Sequence, residues 1–219
     1  SQAESYIKLG KVKVNGKILN KTSILVSGTD QLEIDEGEQY VSRAGLKLAG
    51  AAHDLKLNFK NKTVLDVGSS TGGFTDYALQ HGAKKIIAVD VGTDQLHPSL
   101  RDNPKIELHE KTDIRDFSLA EIPDIILIDV SFISLRHTLP AVARLADSNT
   151  EVIAMLKPQF EASLREVNKG VIKNDTMRRK IIKDFESWLA AAWRVINKAD
   201  SEVAGTKGNR ERFYLLAKV

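Results

Sequence analysis

The chain has 219 residues, 42% of them hydrophobic, and a formal net charge of +3, enough for one ordinary domain with a sizeable core plus a small appendage. No apolar run approaches the roughly 18 to 20 residues of a membrane helix, and Ser1 to Gly10 lacks the basic-then-apolar layout of a signal peptide, so membrane insertion is not expected. The absence of cysteine removes disulfides, thiolate metal sites and cysteine nucleophiles and fits a cytoplasmic protein; the five histidines show no ligand spacing, so no metal is expected.

The start of the chain is basic, with Lys8, Lys11, Lys13, Lys17 and Lys21, and is followed by Asp30, Glu33, Asp35, Glu36 and Glu38. From Lys11 to Asp35 the text alternates. Val12 and Val14 precede the turn signal Asn15-Gly16, then come Ile18, Ile24-Leu25-Val26 and Leu32-Glu33-Ile34, which predicts small antiparallel strands with a basic surface. Such a surface is either a solvated hairpin face or a contact for a polyanion. Gly37 to Gln39 reads as a linker. Ser42 is placed to cap a helix running to about Leu55, with Ala44, Leu48, Ala51, Ala52 and Leu55 on one stripe and Lys47 beside it.

Thr63 to Phe74 then runs from a short β-branched stretch into the glycine-rich turn Gly68-Ser69-Ser70-Thr71-Gly72-Gly73-Phe74, the signature of a strand, a loop and a helix from about Thr75. Glycine permits sharp turning and close approach of backbone to a ligand. The spacing is neither Gly-x-Gly-x-x-Gly nor a phosphate loop, which argues against dinucleotides and nucleoside triphosphates. Asp66 at the strand end and Asp90, closing the next apolar run and placed to accept from both ribose hydroxyls, point with this loop to S-adenosylmethionine. Asp113, beyond the third strand, is expected near the adenine. The alternative is a purely structural strand-to-helix connection.

Further strands are predicted at Ile86 to Asp90, Ile106 to His109, Ile125 to Asp129 and Val152 to Leu156, alternating with crossover material, so the fold class is α/β with a doubly wound, mostly parallel sheet. Asn174-Asp175 should cap a last long helix with apolar positions from Ile181 through Phe185, Trp188 and Leu189 to Trp193 and Ile196. Both tryptophans are expected in the core. Glu202 to Val219 reads as a closing hairpin turning at Gly205 to Asn209.

Two strand ends carry further chemistry. Ile128-Asp129-Val130-Ser131-Phe132 places a carboxylate, and Leu156-Lys157-Pro158-Gln159-Phe160 a lysine, at the carboxyl edge where open α/β sheets bind ligands. Taken singly, each could be a turn residue or a solvated lysine.

Taken together, Asp66 to Asp76 (Asp-Val-Gly-Ser-Ser-Thr-Gly-Gly-Phe-Thr-Asp), Asp129 to Leu135 (Asp-Val-Ser-Phe-Ile-Ser-Leu), Lys157 to Glu161 (Lys-Pro-Gln-Phe-Glu), Gly208 to Glu211 and the helix start Ser42 to Leu48 resemble the hemolysin A branch of the FtsJ-type RNA ribose 2′-O-methyltransferases over nearly the whole chain. Gly10 to Gly16 resembles the hairpin of an S4-type RNA-binding module whose preceding helices are missing here apart from Ala3 to Leu9. The resemblance implies a seven-stranded class I methyltransferase sheet over 42–219, a partial S4-like module over 1–36 and a linker over 37–41. It implies S-adenosylmethionine as cofactor and methyl transfer to ribosomal RNA, cytidine in the family, with ribosomal RNA or subunits as partner. The family's catalytic tetrad, carried over by motif, becomes Lys47, Asp129, Lys157 and Glu211, with Asp129 also on the cofactor side. Lys8 to Lys21 on one flank and Arg165, Lys169, Lys173, Arg178 and Arg179 on the other are the expected RNA contacts; ordinary solvated faces are the alternative. A base-directed methyltransferase of the same fold is a rival reading, although Val130-Ser131-Phe132 lacks the paired prolines that grip an exocyclic amine. A membrane-lytic protein, which the hemolysin name suggests, should carry an amphipathic or spanning segment, and none is visible in the sequence.

Overall fold

The computed structural model describes residues 3, 6–7, 12–19, 21–34, 40–163, 170–172, 174–205 and 208–219. Near the start, β1 (Val12–Val14) pairs antiparallel with both β2 (Lys17–Ile18) and β3 (Leu32–Ile34) in a three-stranded sheet of order β2-β1-β3. Asn15 and Gly16 take positive φ at the hairpin, as an Asn-Gly turn requires. Ile24 to Val26 corrects the expectation of a further strand: both edges of β1 are already paired, and this run is exposed and irregular. Lys8, Lys11 and the linker at Gly37 to Gln39 lie outside the described residues.

The main body is a seven-stranded sheet of order β6-β5-β4-β7-β8-β10-β9. Its strands are β4 (Thr63–Val67), β5 (Lys85–Val89), β6 (Ile106–His109), β7 (Ile125–Ile128), β8 (Glu151–Leu156), β9 (Trp193–Asp200) and β10 (Arg212–Lys218). Strands β6 to β8 of this order are parallel and β10 is antiparallel to both β8 and β9. The central strands read Val-Leu, Ile-Ile-Ala-Val, Ile-Ile-Leu-Ile and Val-Ile-Ala-Met-Leu because a parallel sheet is covered on both faces. One apolar cluster packs α1 (Arg43–Leu55) and α2 (Gly73–Gln80) on one face, and a second packs α4 (Leu135–Leu145) and α6 (Asp175–Leu189) on the other. Two short helices, α3 (Pro98–Arg101) and α5 (Pro158–Glu161), complete the crossovers.

Asn174 caps α6 as expected, its side chain accepting from the Thr176 and Met177 amides. The helix ends at Leu189, however. Trp193 and Ile196 belong to β9, so the closing hairpin is β9–β10 rather than a pair of strands within 202–219. Trp193 is buried, and Trp188 packs partly buried beside the same core.

Candidate active site

Strand order reverses direction at β4, whose neighbours are β5 and β7, and there the chain opens a crevice at the carboxyl edge. The loop after β4 begins at Gly68, where φ is +81 and a Cβ would lie 2.7 Å from the Asp129 carbonyl oxygen. Glycine is therefore what lets this loop press against the end of β7. A cavity of about 370 Å³ opens beside it, lined by Gly68, Ser70, Asp90, Asp113, Asp129 and Ser131 among others. A smaller one of about 80 Å³ shares Gly68, Ser70 and Asp129 and adds Asp66, Ser69, Thr71, Gly73 and Phe74.

Asp90 holds the loop rim: one carboxylate oxygen accepts from the Ser70 amide at 2.8 Å and the other from the Gly92 amide at 2.7 Å. Asp113 is clasped by Arg115 at 2.7 Å, which holds its carboxyl below the usual carboxylate range. Two loop positions also serve the packing. Gly72 lines neither cavity, because the space beside it is filled by Leu96 and Leu100. Phe74 borders the small cavity, but its ring packs in the core with Phe213, centroids 6.1 Å apart.

Asp66 is fully buried. Its Oδ2 accepts from the Thr75 hydroxyl at 2.7 Å, while its Oδ1 and the nearby Ser69 hydroxyl have no hydrogen-bond partner. Burial pushes the carboxyl up to about 7, and the Asp129 and Asp90 charges add to the effect. A buried, unpaired carboxylate oxygen facing a small cavity is a site awaiting a donor.

Ser42 stands at the N-cap of α1, but its hydroxyl is buried without a partner and makes no cap bond, which corrects the expected capping role. The helix start is closely packed here: a Cβ on Gly73 would collide with Ser42 Oγ, and one on Gly45 would collide with Tyr40. Paired glycines thus let α1 lie against the start of α2, which brings Lys47 over the sheet edge. There its Nζ meets Glu211 Oε2 at 2.5 Å, both side chains nearly buried. Glu211 is delivered by register: Arg212 pairs with Leu156, so Glu211 falls opposite Lys157. Lys157 Nζ in turn lies 2.6 Å from Asp129 Oδ1 and 2.7 Å from Ser131 Oγ. The four residues named from the motifs are thus two lysine–carboxylate pairs, in which two cations balance two carboxylates at the end of β7, β8 and β10.

Three residues at this edge had no expected role. Ser131 is the neutral partner of Lys157. Phe132 is 91% exposed at the cavity mouth with φ +64, a conformation costly for a side chain of its size; its ring leans on Phe160, centroids 5.3 Å apart. The Glu161 side chain is buried and accepts from Ser134 Oγ at 2.6 Å and from the Leu135 amide at 2.7 Å, tying the loop after β7 to α5. Only the turn at Phe132 left a sequence trace, an aromatic residue in a strand-end loop. Glu161→Ala should cost about 1 to 3 kcal/mol of unfolding free energy, the scale of buried hydrogen bonds to a charged group. Urea titration checks it, and an unchanged midpoint would show that the two loops hold without this carboxylate.

Of the expected RNA contacts, Lys13, Lys17, Lys21 and Arg179 are exposed, and Arg165, Lys169 and Lys173 lie outside the described residues. Arg178 corrects the list. It is buried, bonded to Asp200 at 2.9 Å and to the Arg210 carbonyl at 3.0 Å, and therefore braces the closing hairpin instead of facing solvent. Among the described residues no cluster of three or more His, Asp or Glu side chains could hold a metal, and no helix is long and apolar enough to cross a membrane.

The FtsJ-like methyltransferase family model matches residues 40–218. The chain is 45% identical over 204 residues to the 23S rRNA (cytidine-2′-O)-methyltransferase TlyA of Campylobacter jejuni, covering 91% of this chain and 79% of that protein. It is 37% identical over 217 residues to Hemolysin A of Brachyspira hyodysenteriae, covering 96% of this chain and 90% of that one. Among solved structures, one from Streptococcus thermophilus that carries a provisional hemolysin name superposes with a TM-score of 0.80 at 34% identity, over 100% of this chain and 82% of that chain.

Proposed function

Because the chain belongs to the FtsJ-like methyltransferase family, we propose that it methylates a ribose 2′-hydroxyl of ribosomal RNA from S-adenosylmethionine, with Lys157 as the residue that takes the hydroxyl proton. The observation that carries this reading is the pairing of Lys157 with Asp129, which lines the glycine-loop cavity, and of Lys47 with Glu211 at the same sheet edge.

The residues present fit the cofactor. The unpaired Asp66 Oδ1 and Ser69 Oγ suit an α-ammonium group, and Asp90 suits a ribose diol while already bracing the loop. Asp113 and Ile114 also line the larger cavity and suit a purine, the one as a polar acceptor and the other as an apolar wall. When bound, S-adenosylmethionine supplies a methyl group activated on a sulfonium. The protein's own task is to hold a hydroxyl in line with that methyl and to remove its proton. Only a neutral amine has a lone pair for this, and Lys157 lies directly behind two residues of the cavity lining, Asp129 and Ser131, with Asp129 to stabilise the ammonium that results. Glu211 holds Lys47 beside it. Phe132, exposed at the mouth, offers a flat face against which a nucleobase can stack. Lys13, Lys17, Lys21 and Arg179 are assigned to RNA phosphates, and a ribosomal substrate places the protein in the cytoplasm.

Asp90→Ala should weaken S-adenosylhomocysteine binding by about 1.5 to 3 kcal/mol, since it removes both the diol acceptor and the brace on Ser70 and Gly92. Calorimetry reads this directly, and unaltered affinity would remove Asp90 from the cofactor site. The reading as a whole is tested by incubating unmodified ribosomal subunits with the protein and S-adenosylmethionine and locating the new methyl group by nucleoside mass spectrometry.

A further inference from the structure

Lys157 sits among two acceptors of different kinds. Asp129 Oδ1 is close, at 2.6 Å, but off the line of a hydrogen bond; Ser131 Oγ, at 2.7 Å, accepts one in good geometry. A carboxylate attracts an amine with little preference for how the amine is rotated about its last bond, whereas a hydrogen bond selects one rotamer. Ser131 is also exposed and lines the larger cavity, so its hydroxyl reaches Nζ from the side that substrate must enter. It precedes Phe132, whose left-handed backbone fixes the turn that presents the pair.

We propose that Ser131 is a positioning residue for the transfer, whose hydroxyl holds one N–H of Lys157 and thereby fixes the direction of the amine lone pair that accepts the 2′-hydroxyl proton. A neutral amine has two N–H bonds and one lone pair at tetrahedral corners. With one N–H on Ser131 Oγ and the other drawn toward Asp129, the lone pair is left at the corner that neither residue covers. The step balances: the oxygen–methyl bond forms as the methyl–sulfur bond breaks, the sulfur keeping that electron pair and leaving as the neutral thioether of S-adenosylhomocysteine, while the ribose O–H bond breaks and its proton becomes the third N–H of the Lys157 ammonium. Without the serine the amine can turn its lone pair away, and the fraction of complexes with the correct alignment falls. The inference rests on Lys157 being the base.

The test compares the wild-type protein with Ser131→Ala, Ser131→Thr and Lys157→Ala in single-turnover methylation of unmodified ribosomal subunits across pH. Ser131→Ala should slow the transfer about 10- to 100-fold, the scale of a misaligned reacting group. Its half-saturating subunit concentration should stay at the wild-type value, and the rate loss should persist at saturating S-adenosylmethionine. Ser131→Thr, which keeps the acceptor, should recover most of the rate. Removing an acceptor from the ammonium should also move the acid limb of the pH–rate profile of Ser131→Ala to lower pH. A Ser131→Ala rate equal to wild type with an unmoved limb would overturn the proposal, and so would a change confined to half-saturation, which would make Ser131 a substrate contact. Wild-type turnover by Lys157→Ala would instead show that the base assignment had failed beneath it.

Discussion

Lys157→Ala should lower methyl transfer to ribosomal RNA by about 10³-fold or more, since positioned general bases contribute roughly 10² to 10⁴ and this residue also aligns the nucleophile. Its affinity for S-adenosylhomocysteine should change little, because among the residues bordering the two cavities the lysine itself is not included. Asp129→Ala should behave differently. Asp129 lines both cavities as well as pairing with Lys157, so its loss should weaken cofactor binding and transfer together. Lys47→Ala should impair transfer while leaving Glu211 buried without its cation. Losses in the double variant Lys47→Ala with Lys157→Ala should fall well short of the product of the single losses, as expected of residues acting as one unit. Single-turnover kinetics with calorimetry of the same samples checks these results, and multiplicative losses would show that the two lysines act independently.

The second large effect concerns stability. Asp66 ionises near its ordinary 3.8 in the unfolded chain and near 7 when folded. As pH rises from about 4 to about 7 the unfolded state gives up this proton first, so the cofactor-free protein loses stability over that window on account of this group. At roughly 1.4 kcal/mol per pH unit the loss reaches about 4 kcal/mol above pH 7. Asp66→Asn should therefore leave stability nearly unchanged at pH 4 and raise it by about 2 to 4 kcal/mol at pH 8, its amide oxygen still accepting from Thr75. The same substitution should weaken S-adenosylhomocysteine binding, because it removes the charge of a buried carboxylate whose Oδ1 has no partner within the protein. Denaturant unfolding of both proteins at pH 4 and pH 8 decides the matter. Parallel stability–pH curves would mean that Asp66 is already satisfied in the folded protein.

Much of this was legible because the physical constraints were local. The parallel strands announced themselves as short β-branched runs, each stopped by an acid, a lysine or a glycine at the edge where the chain turns, and β4 to β8 fall within a residue or two of those runs. The glycine loop was legible because close backbone approach leaves few residue choices, although Gly72 serves the packing of Leu96 and Leu100 and not the cavity. Where non-local pairing decided, pattern misled. Ala192, Trp193 and Ile196 continue the helical spacing of α6 with no glycine or proline to stop it, yet β10 draws 193–200 into the sheet. Ile24 to Val26 has strand composition and no partner. At the site, the four charged residues could be named from motif resemblance, but their grouping into Lys47–Glu211 and Lys157–Asp129 depends on the β8–β10 register and on the Gly45–Gly73 approach. Ser131 and Glu161 stood inside quoted motifs without a role, since their contacts are with residues 26 positions away.

The most direct test of the account is the identity of the methylated product. Unmodified ribosomal subunits incubated with S-adenosylmethionine and the wild-type protein should yield a 2′-O-methylated nucleoside after digestion, and Lys157→Ala should yield none. A base-methylated nucleoside, or equal 2′-O-methylation by both proteins, would contradict the assignment of Lys157 and its carboxylate partner to a ribose hydroxyl.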